Sequence, residues 1–260
     1  MTLTHRIDHT LVIQAAPAIV FEFLTETPRW AMWWGAGSEI DPRPGGRMKI
    51  CYPDGREATG EVVEVHAPTR IVFTYGYTNG LMIPSGGSRV TIELEPVGHA
   101  TRLHLRHDVA DEQARDAHMQ GWRYQLSLFA NTVADAVNAG AAGAVDAWFD
   151  AWADPDASSR ARTLSRIGSP ALIFRDRFSN TDGIPDLVAH ITGAQYFMPG
   201  IRMTRKGDVR HCQGTVLADY VARSADGQER ASGTNIFQFG ADGRLEWVTG
   251  FMALVPSSNG

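Results

Sequence analysis

The feature that most constrains the fold is a change of hydrophobic period within the first half of the chain. Between Ile7 and His107, apolar and polar residues alternate in six short segments, the spacing of strands with one buried face. From about Asp111 to Val137 the apolar spacing becomes helical, with His118 and Trp122 on its apolar stripe. The sequence therefore predicts a curved antiparallel sheet with a long helix along its concave face.

The second half follows a run of small residues at 138–143 and has a different order of elements. Helical spacing returns at Trp148 and in a second helix behind it. A strand at 171–176, a helix from 184, and strands at 209–222, 231–239 and 244–254 complete the predicted order. Three helices against a strongly bent sheet predict a cone with an open mouth, so the whole chain is expected to be α+β. We predict a domain at 1–139, a linker at 140–143 and a domain at 144–260.

Composition and charge exclude several classes of function. The chain has 260 residues, 43% of them hydrophobic and 20% charged, and no apolar run approaches the roughly 18 residues of a membrane span. The net charge is -5 with scattered arginines, so we expect neither a nucleic-acid nor a membrane partner. Cys51 and Cys212 are too few for a disulfide framework or a cysteine zinc site. The N-terminus carries no visible secretory signal, which predicts a cytoplasmic location.

Several segments of the first half together resemble a known family. They are the Trp33-Trp34 pair, Pro44-Gly45-Gly46 before a strand, Gly60-Glu61-Val62, and Gly121-Trp122 in the long helix. Over about residues 8 to 137 the chain resembles the bacterial homologues of the heat-shock-protein-ninety ATPase activator, in the START-related helix-grip superfamily (SRPBCC). The resemblance implies a cavity between sheet and helix that takes an apolar ligand. It implies no particular activity, because one fold serves many functions.

The second half resembles a different family over about residues 144 to 254. Four segments carry the resemblance: Phe174-Arg175-Asp176, Asp182-Gly183-Ile184, Gly233-Thr234-Asn235-Ile236-Phe237, and Asp242-Gly243-Arg244-Leu245. They resemble SnoaL-like proteins of the nuclear-transport-factor-like superfamily, which includes polyketide cyclases, ketosteroid isomerases, dehydratases and binding proteins. The resemblance also implies a homodimer through the outer face of this domain's sheet.

Three residues of the second half are the catalytic candidates. Asp176 closes an apolar strand, and the resemblance implies that it is a general base; alternatively it is a solvated strand-end carboxylate paired with Arg175 or Arg177. Asn235 stands where the family carries an Asp that acts as acid or oxyanion donor. Its amide can donate a hydrogen bond but no proton, and it could equally satisfy a neighbour within the strand. His190 lies near the expected rim, where it assists Asp176 or is a rim histidine.

Aromatic and histidine side chains are the expected ligand-binding residues. They are Trp148, Trp152, Tyr220 and Trp247 in the second half, and His107, His118 and Trp122 in the first. The alternative for both histidines is satisfaction within a partly polar core. Trp30, Trp33 and Trp34 are predicted to cover a hydrophobic core. If the cavity lies on the Tyr220 face of the strand at 209–222, His211 is expected at the surface.

Two functions remain compatible with these residues. The first is a cofactor-independent isomerase, cyclase or lyase acting on a polyketide-like or steroid-like carbonyl compound. The second is a non-catalytic ligand-binding or stress-response module. Convergence of Asp176 and Asn235 in an apolar pocket favours the enzyme, whereas an exposed Asp176 favours binding. We expect a small hydrophobic ligand, no cofactor and no metal, because His107 and His118 have no third ligand in a metal-binding spacing.

Overall fold

Two sheets organise the part of the chain that the computed structural model describes, residues 2–254 apart from the side chain of residue 254. Contacts divide the chain into two compact units, residues 1–136 and 137–260. Helices and mainly antiparallel strands occur in both units, so the predicted α+β class is confirmed. No helix among these residues is long and apolar enough to cross a bilayer.

The first unit contains a seven-stranded antiparallel sheet with strand order β1-β7-β6-β5-β4-β3-β2. Its elements are β1 (His5–Ile13), α1 (Pro17–Thr25), α2 (Thr27–Trp34), β2 (Glu39–Ile40), β3 (Arg47–Cys51), β4 (Glu57–His66), β5 (Arg70–Tyr75), β6 (Ser88–Val97), β7 (Ala100–Val109) and α3 (Glu112–Val137). The sequence did not predict α2, because its eight residues are too few to show a helical period.

Helix α3 buries its apolar stripe against this sheet, in the arrangement expected of a helix-grip fold. His118, Trp122, Phe129 and Val133 on the stripe are all buried. The Trp122 ring lies 5.9 Å from the ring of His107 on β7. Burying each large apolar side chain contributes about 1.5–3 kcal/mol, so the stripe holds the helix on the sheet.

The second unit has a six-stranded sheet of order β10-β11-β12-β13-β8-β9. Its elements are α4 (Ala141–Ala153), α5 (Ala157–Ile167), β8 (Gly168–Arg175), β9 (Asn180–Asp182), α6 (Ile184–Phe197), β10 (Arg202–Cys212), β11 (Thr215–Arg223), β12 (Glu229–Phe239) and β13 (Leu245–Leu254). Strands β13 and β8 pair in parallel, and the other neighbours pair antiparallel. Because α4 begins at Ala141, residues 141–143 of the expected linker are its first turn.

The strand predicted at 209–222 is wrong, since these residues form parts of β10 and β11. Gln213 and Gly214, both with positive φ (47° and 84°), turn the chain between them, as in a two-residue hairpin. Because of this turn, the side chains of β10 and β11 do not lie on the faces expected for one continuous strand. His211 pairs directly with Val216, which is fully buried, so both side chains lie on the core face. His211 therefore does not lie on the outer face, where one continuous strand at 209–222 would have placed it.

Candidate ligand-binding and active sites

The first unit contains a partly open cavity of about 400 Å³ between α2, α3 and the strands. Aromatic side chains dominate its walls, which include Trp33, Trp34, Tyr52, Tyr75, Tyr77, His118 and Trp122. The volume falls within the range of about 300–1,000 Å³ of small-molecule sites. Among the residues that the sequence proposed for this site, His118 and Trp122 line the cavity. The three tyrosines went unrecognised because each lies in or beside a strand whose alternation reads simply as core.

His107 does not line the cavity and is wholly buried. Its Nδ1 accepts a hydrogen bond from Trp122 Nε1 at 2.9 Å, and its Nε2 lies 2.8 Å from Ser88 Oγ. Ser88 Oγ in turn donates to the carbonyl oxygen of Tyr75 at 2.8 Å. Burial, and next the adjacent His118, lower the pKa of His107 to about 3. The expectation of a ligand-binding His107 is therefore wrong: this residue orients Trp122.

His118 presents one satisfied and one unsatisfied ring nitrogen. Nδ1 lies 2.7 Å from the carbonyl oxygen of Ala114, so Nδ1–H is the donor and Nε2 carries the lone pair. Nε2 is buried without a hydrogen-bond partner within residues 2–254, and the same is true of Trp34 Nε1. Burial lowers the pKa of His118, and the positive charge of Arg56 adds to this effect. Trp33 and Trp34 thus both line the cavity, whereas Trp30 is a core residue; the Nε1 atoms of Trp30 and Trp33 donate to backbone carbonyls.

In the second unit, Asp176 and Asn235 converge on the inner face of the sheet. Asn235 on β12 pairs directly with Gly250 on β13. A Cβ added to Gly250 would lie 3.1 Å from Asn235 Oδ1 and 3.2 Å from Asp176 Cβ. The absence of a side chain at Gly250 therefore allows Asn235 and Asp176 to approach the same point. Nothing in the local sequence distinguishes this glycine from a turn or bulge glycine.

Asp176 is half-buried and begins a tight turn. Its Oδ1 accepts the backbone N–H of Phe178 at 2.8 Å, which leaves Oδ2 available. Neither Arg175 nor Arg177 forms an ion pair with it, since Arg175 donates to Asn180 Oδ1 and stacks 4.4 Å above the Trp247 ring. The carboxylate therefore caps the turn, while the Asp176 Cβ lies beside Gly250 at the inner face.

Tyr220 adds a hydroxyl to the same face. The residue is buried, pairs directly with Gly233, and its hydroxyl oxygen lies 2.9 Å from the position of a Cβ on that glycine. Burial, and then the negative charge of Asp176, raise the pKa of Tyr220 to about 12. The hydroxyl therefore keeps its proton at neutral pH and is available as a hydrogen-bond donor. Asn235 is also buried.

His190 reaches this site through Ser179. Its Nε2 lies 2.6 Å from Ser179 Oγ. The backbone of Ser179 closes the turn that begins at Asp176, because the Asp176 N–H donates to the Ser179 carbonyl oxygen at 3.1 Å. The His190 ring lies 5.8 Å from Trp152 and 6.3 Å from Phe174. This arrangement makes His190 a wall residue beside Asp176. Ser179 carried no sequence signal, because only the turn brings it to His190.

The tryptophans predicted to bind ligand in this unit differ in position. Trp152 is partly buried beside Phe174 and His190. Trp148 has no exposed surface and packs into the core 5.3 Å from Phe174, so it supports the wall from behind. Trp247 lies on the outer face of the sheet, because its neighbour Val248 points into the core. The expectation of Trp247 in the cavity is therefore wrong.

Fold and sites together define an α+β protein with a helix-grip unit followed by a cone-shaped unit, each presenting an aromatic-lined inner face. Residues 14–134 match the model of a family described as activator of Hsp90 ATPase homolog 1-like protein. This match confirms the resemblance predicted for the first half. No curated protein matches the chain.

Three solved structures illustrate the fold-level similarities. One is a protein of the SnoaL-like family from Agrobacterium tumefaciens, at 22% identity over 43% of this chain and 95% of that chain, with a TM-score of 0.41. Another is the Aha1 dimer from Colwellia psychrerythraea, at 20% identity over 47% and 91%, with a TM-score of 0.41. The third is an HSP90 activator from Plasmodium falciparum, at 20% identity over 46% and 89%, with a TM-score of 0.39.

Proposed function

We propose that the second unit is a cofactor-independent enzyme of the isomerase, cyclase or lyase type that acts on a polyketide-like or steroid-like carbonyl compound. The convergence of Asp176, Asn235 and Tyr220 on one inner face carries this proposal. A carboxylate base beside two neutral hydrogen-bond donors is the minimum set for removing a proton next to a carbonyl and holding the resulting enolate. The aromatic wall of Trp152, Phe174 and His190 supports a flat, apolar substrate.

In the proposed reaction, Asp176 removes a proton from the carbon next to the substrate carbonyl. The carbon–hydrogen electron pair moves into the enolate, and Asp176 becomes the neutral acid. The Tyr220 hydroxyl and the Asn235 amide donate hydrogen bonds to the enolate oxygen without transferring their protons. An isomerase completes the cycle when Asp176 returns the proton to a different carbon of the conjugated system. A cyclase instead uses the enolate carbon to attack a second carbonyl, whose oxygen then takes the proton from Asp176. In a lyase the enolate electrons expel a leaving group, which takes that proton as it departs.

A non-catalytic binding function is the second candidate, and the aromatic cavity of the first unit favours it. That cavity has aromatic walls, and its carboxylate and its amide are both engaged: Asp54 accepts from Arg56, and Gln125 donates to the Trp33 carbonyl. The two functions are compatible, since they occupy different units of the chain.

We also propose that the protein forms a homodimer through the outer sheet face of the second unit. Phe251 supports it, because this large apolar side chain is 57% exposed on that face.

Deuterium exchange into a flat bicyclic ketone tests the proposed base directly. With 2-tetralone in D₂O, the full chain is expected to accelerate exchange of the protons next to the carbonyl, measured by proton NMR. Asp176→Asn should lower the protein-dependent rate by about a hundredfold or more, as expected for a removed general base. Asn235→Ala should lower it by a similar factor, because one oxyanion donor is worth about 10²–10³ in rate.

Two further variants separate the site from general damage. Asp150→Asn changes an exposed carboxylate of α4 in the same unit and should leave the exchange rate unchanged. Gly250→Ala changes no charge but places a methyl group between Asp176 and Asn235, so it should also lower the rate. Exchange at the parent rate in a folded Asp176→Asn protein contradicts the proposed base.

A further inference from the structure

Two residues that line the cavity of the first unit each carry a buried polar atom without a hydrogen-bond partner among the described residues. Trp34 Nε1 and His118 Nε2 are buried, and neither has a hydrogen-bond partner within the described part of the chain. Both residues line the same cavity. Buried polar groups in folded proteins nearly always have partners, and leaving one unpaired destabilises the fold. Two such atoms in one cavity wall indicate a ligand that supplies the missing partners.

The chemistry of each nitrogen defines what that ligand must offer. An indole Nε1–H can only donate a hydrogen bond. His118 Nδ1–H is already committed to the Ala114 carbonyl at 2.7 Å, so the neutral imidazole can only accept at Nε2. The lowered pKa of His118 keeps this nitrogen unprotonated at neutral pH. The wall therefore offers one donor and one acceptor.

The other two indoles of the cavity are already satisfied by the fold. Trp33 Nε1 donates to the carbonyl oxygen of Phe23 at 3.0 Å, and Trp122 Nε1 donates to His107 Nδ1 at 2.9 Å. Trp34 is thus the one tryptophan of this wall whose N–H finds no partner among residues 2–254. The difference provides an internal control, since the three rings share one environment.

The charges around the cavity favour a neutral ligand. Arg56 is the cation of the wall, and its Nε donates to Asp54 Oδ2 at 2.8 Å. Its guanidinium also lies 5.4 Å from the Tyr52 ring, and burial raises the pKa of the Tyr52 hydroxyl well above its usual range. An anionic ligand would meet the lone pair of His118 while the available cation is already paired with a carboxylate.

We propose that this cavity binds a neutral, flat aromatic compound that carries a hydroxyl group. The ligand hydroxyl donates to His118 Nε2, and an oxygen lone pair of the ligand accepts from Trp34 Nε1. The surrounding aromatic walls bind the ring system through burial of apolar surface. This inference rests on the small-molecule handling proposed above, but it concerns the first unit and requires no catalysis.

Titration calorimetry of the full chain with four related compounds tests the ligand class. The probes are 2-naphthol, naphthalene, 2-methoxynaphthalene and 2-naphthoate, which share one ring system and differ in one substituent. We expect 2-naphthol to bind about tenfold tighter than naphthalene, the effect of one or two hydrogen bonds to otherwise unpaired groups. The methoxy compound, which accepts but cannot donate, should lie between them, and the anionic naphthoate should bind most weakly.

Three aromatic substitutions then assign the preference to the two nitrogens. Trp34→Phe and His118→Phe should each reduce the ratio of 2-naphthol to naphthalene affinity towards one, while naphthalene itself still binds. Trp33→Phe removes an indole from the same wall, but its N–H is committed to Phe23, so the ratio should stay at the parent value. Near-ultraviolet circular dichroism confirms that each variant is folded. Should a variant not fold, the wild-type series with four probes decides the question alone.

The inference is overturned if 2-naphthol binds no tighter than naphthalene to the wild-type chain. It is also overturned if the preference survives in both Trp34→Phe and His118→Phe, or if none of the four probes binds. Asp176→Asn should leave 2-naphthol binding unchanged. Loss of ketone exchange without loss of naphthol binding, or the reverse, therefore shows which of the two proposals has failed.

Discussion

His107 shows how the surroundings of one side chain set its chemistry. Both of its ring nitrogens have hydrogen-bond partners, and the Trp122 N–H requires an unprotonated Nδ1. Protonation would break that bond and place a charge in the core beside His118. The folded protein therefore holds His107 neutral, with a pKa lowered to about 3 by burial and then by His118. In the unfolded chain a histidine titrates near pH 6.5.

This difference predicts that acid destabilises the fold. Between pH 6.5 and about 3 the unfolded state binds a proton at His107 that the folded state does not, so the free energy of unfolding falls as pH falls. The slope from this residue reaches about 1.4 kcal/mol per pH unit. Urea unfolding from pH 7 to pH 4 should therefore show a shallower pH dependence for His107→Gln than for the wild type.

His118 contributes in the same direction, because its pKa is lowered too, so some slope should remain in His107→Gln. His104→Gln is the matched control, since His104 lies on the same strand with a partly exposed side chain. It should keep the parent slope. Identical slopes for His107→Gln and wild type would contradict the neutral buried histidine.

At the scale of secondary structure, Arg160 joins the three helices of the second unit. It is wholly buried on α5. Its Nη1 donates to the carbonyl of Asp154 at the end of α4 (2.7 Å) and to Gln195 Oε1 on α6 (2.9 Å), and its Nη2 donates to Thr192 Oγ1 (2.6 Å). A cation at the C-terminal end of α4 also interacts favourably with the helix dipole. The guanidinium fork thus positions the helices that carry the aromatic wall.

Arg160→Met should destabilise the protein by about 3 kcal/mol, because it removes the three hydrogen bonds by which the buried guanidinium joins α5 to the end of α4 and to α6. Arg162→Met changes an exposed arginine of the same helix and should cost no more than about 0.5 kcal/mol. Guanidinium-induced unfolding followed by circular dichroism measures both. Equal midpoints for the two variants would show that the buried fork does not hold the helices together.

At the scale of the whole molecule, each unit completes its own sheet and its own core. All seven strands of the first sheet lie within residues 5–109, and all six strands of the second lie within residues 168–254. Within residues 2–254, neither sheet contains a strand from the other half. The second core likewise assembles residues from Ala141 to Val248. This distribution supports the two-domain proposal.

We therefore expect fragments 1–139 and 140–260 to fold separately. The cut falls between the end of α3 and the start of α4, so it interrupts no element. Each fragment should show a cooperative thermal transition by circular dichroism. Failure of both fragments to melt cooperatively, while the full chain does, would contradict the proposal.

Much of the fold follows from local spacing. The alternation from Ile7 to His107 and the helical stripe through Trp122 each depend on neighbours two to four residues apart, so the sequence alone determined the strands and the long helix of the first unit. Asp176, Asn235 and Tyr220 were likewise accessible to sequence reasoning, through a family pattern and through chemistry. The hairpin at Gln213 was not, because Gln-Gly is not one of the characteristic pairs of a two-residue hairpin turn, such as Asn-Gly or Asp-Gly.

Tertiary structure decided everything that depends on contacts between distant segments. Only strand register brings Gly250 beside Asn235 and turns Trp247 away from the core. The packing of α3 on β7 commits the Trp122 N–H to His107, whereas the N–H of Trp34 remains unpaired in the cavity wall. Hydrogen-bond satisfaction and side-chain direction are set by three-dimensional neighbours, not by local spacing, and these two properties define both candidate sites.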